Sequence, residues 1–289
     1  MQTTQGGCQL KELVIYLDSK GMIATKTYVQ YLSPGEVEGK GMFETMRIVD
    51  GNFFCLDEHI ARMKRGLELL NIRMPFNKKD LQSRIKALMK RNQLADARVR
   101  FSAWKEDGAV HNSVVCYPSI KYSNSKVKKG FSAMVSPVVR NKTRLSHVKS
   151  IQYGLFKKAL LDARSKGFDE AILLNKEKNV VEGAYTNIFY VKNKALFTPS
   201  IGCGCLNGIT RNVVIECARR ANIKCVMIQE GVKKFLKADE VFITNSAIGV
   251  MPLTKINDSI ISGGCAGEIT LSLRELYNSL QFKGSAMQK

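Results

Sequence analysis

Apolar and polar residues alternate over short stretches near the start of the chain, which is the spacing of half-buried strands. Residues 13–24 contain two such stretches around Asp-Ser-Lys-Gly, and they predict a hairpin in which Gly21 takes a positive φ at the turn. Residues 41–49 predict another strand, and Asp50-Gly51 predicts a tight turn after it. A sheet is therefore expected to begin near the N-terminus.

The apolar spacing changes to three and four residues after position 56, which is the period of a helix. One stripe of this predicted helix consists of Ile60, Met63, Leu67 and Leu70. Asp57 is the expected capping residue, because its carboxylate can accept a free backbone N–H. Residues 79–91 predict a second helix.

Residues 97–104 alternate strictly, which places Arg98 and Arg100 on one face of a strand and Val99 and Phe101 on the other. The apolar face is expected to be buried. The arginine face borders either solvent or a binding site, and the pattern alone leaves both possibilities open.

The second half of the chain mixes strand and helix patterns. Its predicted strands are residues 131–138, 170–174, 180–191, 195–198 and 239–246. Residues 154–166 predict a helix that Gly167 ends, and the positions expected to face inward are Leu155, Ala159, Leu160 and Ala163. Hairpins mixed with helices predict a mixed α/β (α+β) fold, not a doubly wound sheet.

Composition limits the class of protein. The 289 residues are 45% hydrophobic and 24% charged, which is typical of a soluble globular chain with room for two domains. No apolar run approaches the ~20 residues that cross a bilayer, and the N-terminus lacks a secretory pattern. We therefore expect a cytoplasmic enzyme that does not bind a membrane.

The formal net charge is +20, which by itself would be compatible with nucleic-acid binding. The lysines are dispersed and rarely interleave with aromatic residues, so we expect no nucleic-acid partner. An acidic substrate and a phosphorylated cofactor fit the charge. The eight cysteines lack the paired spacing of a zinc site, so no metal site is predicted, and Cys203 and Cys205 are expected to be small loop residues.

Three features between residues 149 and 211 suggest chemistry. Glu182 lies in a strand of β-branched and aromatic residues, where an acid needs a partner. Asn-Gly-Ile-Thr-Arg at 207–211 opens a helix, whose free N–H groups would face an anion. Lys149 lies a little upstream. A carboxylate, a phosphate-binding helix start and an imine-forming lysine are what a pyridoxal phosphate enzyme must supply.

The motifs around these residues resemble the signature of the class IV aminotransferases, which are fold-type IV pyridoxal phosphate enzymes. This family includes branched-chain and D-amino-acid aminotransferases and 4-amino-4-deoxychorismate lyase. The matching motifs are Phe43-Glu44-Thr45-x-Arg47, Leu56-x-x-His59-x-x-Arg62, Lys149-Ser150-Ile151-Gln152-Tyr153, Glu182-x-Ala184-x-x-Asn187-Ile188-Phe189, Leu206-x-Gly208-Ile209-x-Arg211 and Thr244-Asn245-Ser246.

The resemblance implies a two-domain fold with pyridoxal 5'-phosphate between the domains. We expect residues 1–125 to form the smaller N-terminal α/β domain and residues 126–289 the larger cofactor-binding domain. The polar stretches 122–129 and 140–144 are the candidate linkers. Because enzymes of this fold type are usually dimers, the resemblance also implies a homodimer.

The resemblance assigns roles to individual residues. Lys149 corresponds to the Schiff-base lysine and proton-transfer base, and Glu182 to the acid that holds a proton on the pyridine nitrogen. Tyr153 would hydrogen-bond the ring oxygen, and Arg100 would bind a substrate carboxylate. The remaining cofactor contacts, all at the phosphate, are Arg62, Gly208, Ile209, Thr210, Ser246 and Ala247.

The substrate is indicated by fewer residues. Residues 41–47 and 245–252 resemble 4-amino-4-deoxychorismate lyase more than branched-chain aminotransferases, in which a Glu-Gly pair commonly follows the phenylalanine. The first hypothesis is therefore a lyase that converts 4-amino-4-deoxychorismate to 4-aminobenzoate and pyruvate through a Lys149 Schiff base. The alternative is an aminotransferase acting on branched-chain or D-amino acids with 2-oxoglutarate. Residues 33–40 replace the family's usual Asp-Arg-Gly, so an atypical substrate-side loop is expected.

Overall fold

The computed structural model of the chain describes residues 13–18, 21–25 and 40–282. Two sheets with helices packed on them make up this part of the molecule, which confirms the predicted mixed α+β class. Residues 19–20 of the predicted N-terminal turn and residues 33–39 of the atypical loop lie outside the described residues.

The first sheet has six strands in the order β2-β1-β6-β5-β3-β4. Its strands are β1 (Leu13–Leu17), β2 (Gly21–Thr25), β3 (Lys40–Val49), β4 (Asn52–Phe53), β5 (Ala97–Glu106) and β6 (Ala109–Pro118). All neighbours are antiparallel. The predicted turn residues Gly21, Asp50 and Gly51 have φ of 66°, 50° and 73°. Positive φ at both Asp50 and Gly51 is what a two-residue hairpin requires.

Two helices, α1 (Leu56–Leu69) and α2 (Lys78–Arg91), cover one face of this sheet. The predicted apolar face of β5 is buried against them, with Val99 and Phe101 in the same core as Met63 and Leu67. The predicted cap of α1 is wrong. Cys55 occupies the capping position with φ 56° and makes no side-chain capping hydrogen bond, and Asp57 is 72% exposed in an ion pair with Lys78.

The second sheet runs in the order β12-β11-β10-β13-β14-β7-β8-β9, and β15 pairs with β14. Its strands are β7 (Phe131–Val139), β8 (Glu170–Leu174), β9 (Val180–Gly183), β10 (Asn187–Lys192), β11 (Ala195–Pro199), β12 (Cys225–Ile228), β13 (Glu240–Asn245), β14 (Gly249–Ile256) and β15 (Ser259–Ile260). The helices of this half are α3 (Asn124–Lys129), α4 (Gly154–Ser165), α5 (Ile209–Arg220), α6 (Val232–Leu236) and α7 (Glu268–Phe282), with short 3-10 turns at Ile201–Cys203 and Ser262–Gly264.

The predicted strand 180–191 is interrupted, which corrects the sequence pattern. Strand β9 ends at Gly183, whose N–H donates to the Thr186 carbonyl, and β10 begins at Asn187. The Glu170 carboxylate accepts the Ala184 and Tyr185 N–H groups and the Thr186 hydroxyl, so it holds the bend together. The break turns the chain so that Glu182 and Asn187 lie on different strands.

Two smaller predictions also differ from the structure. Within the polar stretch 122–129, residues 124–129 form α3, because Ser123 accepts the Lys126 N–H and Val127 is buried. On α4, Ala159 and Ala163 face inward as predicted, but Leu155 is 65% exposed. Leu155 lies in the first turn of the helix, and the buried contacts of α4 are made by the two alanines and partly buried Leu160.

The two sheets meet at a short backbone pairing. The Phe43 N–H donates to the Lys149 carbonyl at 3.0 Å, and the Ile151 N–H donates to the Gly41 carbonyl at 3.1 Å. Residues 149–151 of the second half therefore pair with the first residues of β3. No helix in the described part of the chain has the length and apolar character needed to span a membrane.

Candidate active site

One cavity of about 680 Å³ opens where the two sheets meet. All ten residues to which the sequence assigned a role line it: Arg62, Arg100, Lys149, Tyr153, Glu182, Gly208, Ile209, Thr210, Ser246 and Ala247. They come from strands of both sheets, from α1, from the segment before α4, from the start of α5 and from the turn after β13. The fold therefore brings together residues that are spread over almost 190 positions of the sequence.

Lys149 lies at the centre of this arrangement. Its Nζ lies 4.6 Å from the centre of the Phe43 ring and 5.6 Å from that of Tyr153. Burial, together with the positive charge of Arg62, lowers the pKa of Lys149 to about 8, although Glu44 and Glu182 oppose the shift. A substantial fraction of the amine is therefore neutral near physiological pH, which is the form that acts as a nucleophile or base.

Glu182 is buried and fixed at both carboxylate oxygens. Oε1 accepts Arg140 Nε at 3.1 Å and Oε2 accepts the Leu206 N–H at 2.9 Å. Burial raises the pKa of Glu182, and the Arg140 charge and the two hydrogen bonds counteract that rise. Arg140 also donates to the Ser146 carbonyl, so it is itself held in place.

Tyr153 lies between aromatic rings at the start of α4. Its ring stacks on Phe156 at 4.3 Å and meets the edge of Phe43 at 5.6 Å. Burial raises the pKa of Tyr153 well above its ordinary value, and the nearby Glu182 charge adds to this. The phenol therefore keeps its proton and can act as a hydrogen-bond donor.

The start of α5 has no side-chain cap. Gly208 is the capping residue and has no side chain, so the first turn of the helix receives no side-chain cap. A Cβ at Gly208 would overlap the Asn187 Oδ1 atom. Asn187 in turn donates to the Leu206 carbonyl. The free N–H groups and the positive end of the helix dipole therefore face the cavity.

Two hydroxyl groups stand beside this helix start. Thr210 Oγ1 and Ser246 Oγ lie 3.4 Å apart and both line the cavity. The backbone around Ser246 is fixed by Asn245, whose Oδ1 accepts the Ala247 and Ile248 N–H groups at 2.8 and 2.9 Å. The Ala247 amide, which the resemblance assigned to the phosphate, thus donates to Asn245 in this structure.

Arg62 extends from α1 to the same place. Its Nη1 donates to the Asn207 carbonyl at 2.9 Å, immediately before Gly208. Its Nε and Nη2 donate to the two oxygens of Glu44 at 2.7 and 2.6 Å, and His59 Nδ1 lies 2.7 Å from Glu44 Oε2. Arg62 is buried together with Glu44 and His59.

Glu44 is fully buried. Burial alone would raise its pKa, but the Arg62 charge and the hydrogen bonds from Arg62 and His59 lower it to about 2. Burial lowers the pKa of His59, against the raising effect of Glu44. The carboxylate is therefore ionised and orients the guanidinium group of Arg62.

Arg100 lies on the cavity side of β5. The sequence pattern had left open whether this face borders solvent or a binding site. Its guanidinium stacks over the Phe43 ring at 4.4 Å, on the ring that Lys149 Nζ also approaches. Arg98 lines the same cavity. The arginine face of β5 therefore borders the cavity.

Sequence reasoning gave no role to Glu44, Arg140 or Asn187. Glu44 carried a signal, because it is an acid within an apolar strand, which was the argument used for Glu182. Arg140 lies in a polar stretch that was considered a linker, and nothing local links it to a carboxylate 42 residues away. Its partner is visible only in the fold.

Metal and thiol chemistry find no support in the side chains whose positions are described. Within residues 13–18, 21–25 and 40–282, no three His, Cys, Asp or Glu side chains are arranged to hold a metal ion. Cys203 and Cys205 are both buried in the loop before α5, and the Cys205 thiol donates to the Ser200 carbonyl at 3.5 Å.

Comparison with known proteins agrees with this geometry. The family described as amino-transferase class IV matches residues 41–256. A Methanocaldococcus jannaschii protein assigned as a branched-chain-amino-acid aminotransferase is 32% identical, and the match covers 93% of this chain and 96% of that protein. An aminodeoxychorismate lyase from Bacillus subtilis is 30% identical over 91% of this chain and 93% of the lyase.

A solved structure has the same fold. The T.th. branched-chain amino acid aminotransferase, solved with pyridoxamine 5'-phosphate, superposes with a TM-score of 0.84 at 26% identity. The match covers 94% of this chain and 95% of that one.

Proposed function

Because this chain belongs to the class IV aminotransferase family, we propose that it transfers an amino group between an amino acid and a 2-oxo acid. The cofactor is pyridoxal 5'-phosphate. The amino donor that we propose is a branched-chain or D-amino acid, and the acceptor is 2-oxoglutarate. One observation carries the proposal: an amine, a buried acid and an uncapped helix start surround a single cavity.

The donor groups of the cavity fit each part of this cofactor. Arg62, the N–H groups of Ile209 and Thr210, and the hydroxyls of Thr210 and Ser246 suit a phosphate. Glu182 suits a protonated ring nitrogen, and the Tyr153 hydroxyl suits the ring oxygen. Gly208 provides no side-chain cap, so the first N–H groups of α5 remain available to the phosphate. A Cβ at this position would overlap Asn187.

Pyridoxal phosphate supplies, when bound, an aldehyde that takes up amines and a ring that accepts the electron pair left when the Cα–H bond breaks. Lys149 would bind the aldehyde carbon through Nζ. Once the lysine is released, the same nitrogen would accept the proton that leaves the substrate and return it. Its pKa of about 8 supports this role, because the neutral amine is available without a strong external base.

Glu182 would keep a proton on the ring nitrogen. Its two fixed oxygens hold the carboxylate in one orientation, and Arg140 favours the charged form of Glu182. Arg100 would bind the substrate α-carboxylate, because its guanidinium and Lys149 approach the same Phe43 ring.

A lyase acting on 4-amino-4-deoxychorismate is the second candidate. It is favoured by residues 41–47 and 245–252 of the sequence and by the Bacillus subtilis relative at 30% identity. The branched-chain relative at 32% and the solved T.th. aminotransferase support the aminotransferase better. The same residues serve both reactions, so the difference lies in the substrate.

We also propose that the protein acts as a homodimer, which the motif resemblance implies, and that it is cytoplasmic, which we expected from its composition.

The test combines three substrates with purified protein that has been loaded with pyridoxal phosphate. We expect new glutamate from L-leucine or D-alanine with 2-oxoglutarate, and none from Lys149→Ala. Lys158→Ala is the matched control, because Lys158 is exposed on α4 away from the cavity. Pyruvate and 4-aminobenzoate formed from aminodeoxychorismate without an acceptor would select the lyase. No product from any substrate would contradict both.

A further inference from the structure

A second, smaller cavity of about 210 Å³ borders Glu182 on another side, and we call it the rear cleft. Lys149, Tyr153, Glu182 and Leu206 line both cavities, so the two cavities meet at these residues. The residues that line the rear cleft and not the main cavity include Arg140, Leu145, Val148, Ser150 and Phe156.

The rear cleft reaches solvent between the loop after β7 and the start of α4. Its rim includes Thr143, Gln152 and Leu145, which is 40% exposed, whereas Val148 and Tyr153 are buried at its inner end. A small solute can therefore enter the rear cleft without passing through the main cavity.

Arg140 supplies the rear cleft with a cation whose donors are only partly used. Its Nε donates to Glu182 Oε1 and its Nη2 to the Ser146 carbonyl, but its Nη1 donates to no atom of the described residues. The guanidinium lies over the Phe156 ring at 4.8 Å, and that ring lines only the rear cleft. A guanidinium has several N–H donors in a fixed fork, so Arg140 can bind Glu182 and a second anion together.

Ser150 offers a further donor on the same wall. Its Oγ accepts the Gln152 N–H at 3.1 Å, and its own proton has no acceptor in the part of the chain that the structure describes. Of the described residues on this wall, Glu182 alone is a carboxylate, and both of its oxygens already accept hydrogen bonds. An anion that enters the rear cleft therefore meets free donors and no unpaired acid.

The remaining wall residues limit the ligand. Leu145, Val148 and Phe156 present apolar surface beside the guanidinium. The volume of about 210 Å³ is below the roughly 300 Å³ at which pockets for drug-sized ligands begin, so only a small molecule fits. A carboxylate with a short apolar body can bind the cation, the hydroxyl and the apolar surface at once.

We propose that the rear cleft binds a small monocarboxylate at Arg140 and Ser150, and that this anion inhibits the enzyme from outside the substrate cavity. The physical reason is that one guanidinium serves two anions. Arg140 favours the charged form of Glu182, and a second anion beside Arg140 would offset that positive charge. The inhibition rests on the proposed aminotransferase function, whereas the binding does not.

Branched aliphatic and aromatic carboxylates share this chemistry, and calorimetry on protein loaded with pyridoxal phosphate distinguishes them. Isovalerate is compared with isovaleramide, and benzoate with benzamide, so that each pair has nearly one shape and differs in charge. We expect the carboxylate of at least one pair to bind about tenfold more tightly than its amide. A preference within the first pair identifies the aliphatic class, and one within the second identifies the aromatic class.

Variants assign this binding to the rear cleft. Leu145→Trp places a bulky ring at the rim and should abolish the carboxylate preference, whereas a carboxylate bound at Arg100 in the main cavity would persist. Ser150→Ala removes one donor and should weaken carboxylate binding about fivefold, which tests the site even if Leu145→Trp impairs folding. Leu155→Trp is the matched control, because Leu155 is also an exposed leucine but lines neither cavity.

Steady-state rates test the inhibition separately. The carboxylate should lower kcat at saturating L-leucine in the unmodified protein and in Leu155→Trp, but not in Leu145→Trp. Binding that Leu145→Trp or Ser150→Ala weakens supports the site even if no substrate is transaminated. A carboxylate preference that survives both substitutions, or inhibition that saturating leucine relieves, overturns the inference and leaves the aminotransferase proposal intact.

Discussion

Glu44 shows how one buried acid orients Arg62, the arginine that we propose for the phosphate. A fully buried carboxylate is unfavourable by itself, but bidentate bonds from Arg62 and a contact with His59 compensate for its desolvation. Removing one member of such a cluster leaves the others buried and unbalanced. Glu44 therefore affects both the stability of the fold and the position of Arg62.

We expect Glu44→Gln to lower the free energy of unfolding by about 3 kcal/mol at pH 7, because it leaves Arg62 buried without its counter-charge. The pKa of Glu44 is depressed from 4.5 to about 2 in the folded protein, so its stabilisation is present above pH 4.5 and is lost as the pH falls toward 2. Urea denaturation between pH 3 and pH 7 measures this difference.

Asp57→Asn is the matched control for that measurement. Asp57 is also an acid paired with a cation, in the first turn of α1, but it is 72% exposed. Exposed ion pairs contribute little to stability. Equal losses in the two variants, or an effect of Glu44→Gln that does not shrink in acid, would contradict the buried-cluster interpretation.

Arg140 is a positioning residue for Glu182. Burial raises the pKa of Glu182 and Arg140 opposes the rise, so removing Arg140 should raise that pKa further. We expect Arg140→Ala to lower kcat/KM about tenfold and to move the loss of activity in acid toward higher pH. Rate profiles from pH 5 to pH 9 measure both effects.

Arg144→Ala tests whether any arginine of this loop would give the same result. Arg144 is exposed and lines no cavity with Glu182. Its replacement should leave the profile unchanged. An Arg140→Ala enzyme with a lower rate but an unmoved acid limb would show that Arg140 acts only through local structure.

At this scale the sequence predicted the residues to which the family signature assigns a role. Lys149, Glu182 and Arg62 could be named because the surrounding residues resemble that signature. Arg140 lies in no motif, and Glu44 lies in one without an assigned role, so both roles needed the contacts, whose partners lie 42 and 18 residues away.

Among the elements, the start of α5 depends on a glycine for a steric reason. Gly208 has φ −71°, which any residue can adopt, so its backbone does not require glycine. The requirement comes from Asn187, whose Oδ1 occupies the place of a Cβ. The helix start and the Asn187 side chain at the start of β10 lie too close together for a Cβ.

We expect Gly208→Ala to displace Asn187 and to weaken the binding of pyridoxal phosphate more than tenfold, because the N–H groups of the first turn lose their alignment. The binding of pyridoxal, which lacks the phosphate, should change much less. Absorbance titration of the apoprotein with the two compounds measures this difference.

Gly154→Ala provides the comparison at another helix start. Gly154 begins α4 and a Cβ there meets nothing within 4 Å, so alanine should be tolerated or slightly stabilising. If Gly208→Ala weakened pyridoxal as strongly as pyridoxal phosphate, the effect would not lie at the phosphate site.

The sequence predicted elements well where periodicity was local. The β1–β2 and β3–β4 hairpins and helices α1, α2 and α4 follow from spacing and turn residues, whereas β6 and its hairpin with β5 were not predicted. The break between β9 and β10 could not be predicted, because it depends on Glu170 accepting N–H groups 14 and 15 residues away. The cap of α1 was missed because Cys55 adopts positive φ without any capping side chain.

For the whole molecule, the class of fold was predictable and the relation between the two sheets was not. Alternation and helical periods indicated a mixed architecture. The pairing of residues 149–151 with the start of β3 has no local signal, since it joins segments more than 100 residues apart. The division at residue 125 stays a prediction.

We expect the protein to sediment as a homodimer of about twice its 32.3 kDa chain mass. Leu155 and Leu161 leave exposed apolar side chains on α4, at 65% and 54% exposure, and such residues are frequent at subunit contacts. Analytical ultracentrifugation at micromolar concentration measures the mass. A single species of monomer mass would refute the expectation.

The guanidinium of Arg62 connects cofactor binding with the resistance of the folded chain to proteolysis. It donates hydrogen bonds to Glu44 of the first sheet and to the Asn207 carbonyl beside the second sheet, so it connects the two halves of the molecule. An anion bound by Arg62 would strengthen this connection between the two halves. The chain would then become more resistant to proteolysis as it matures, and the empty form would be the one vulnerable to turnover in the cell.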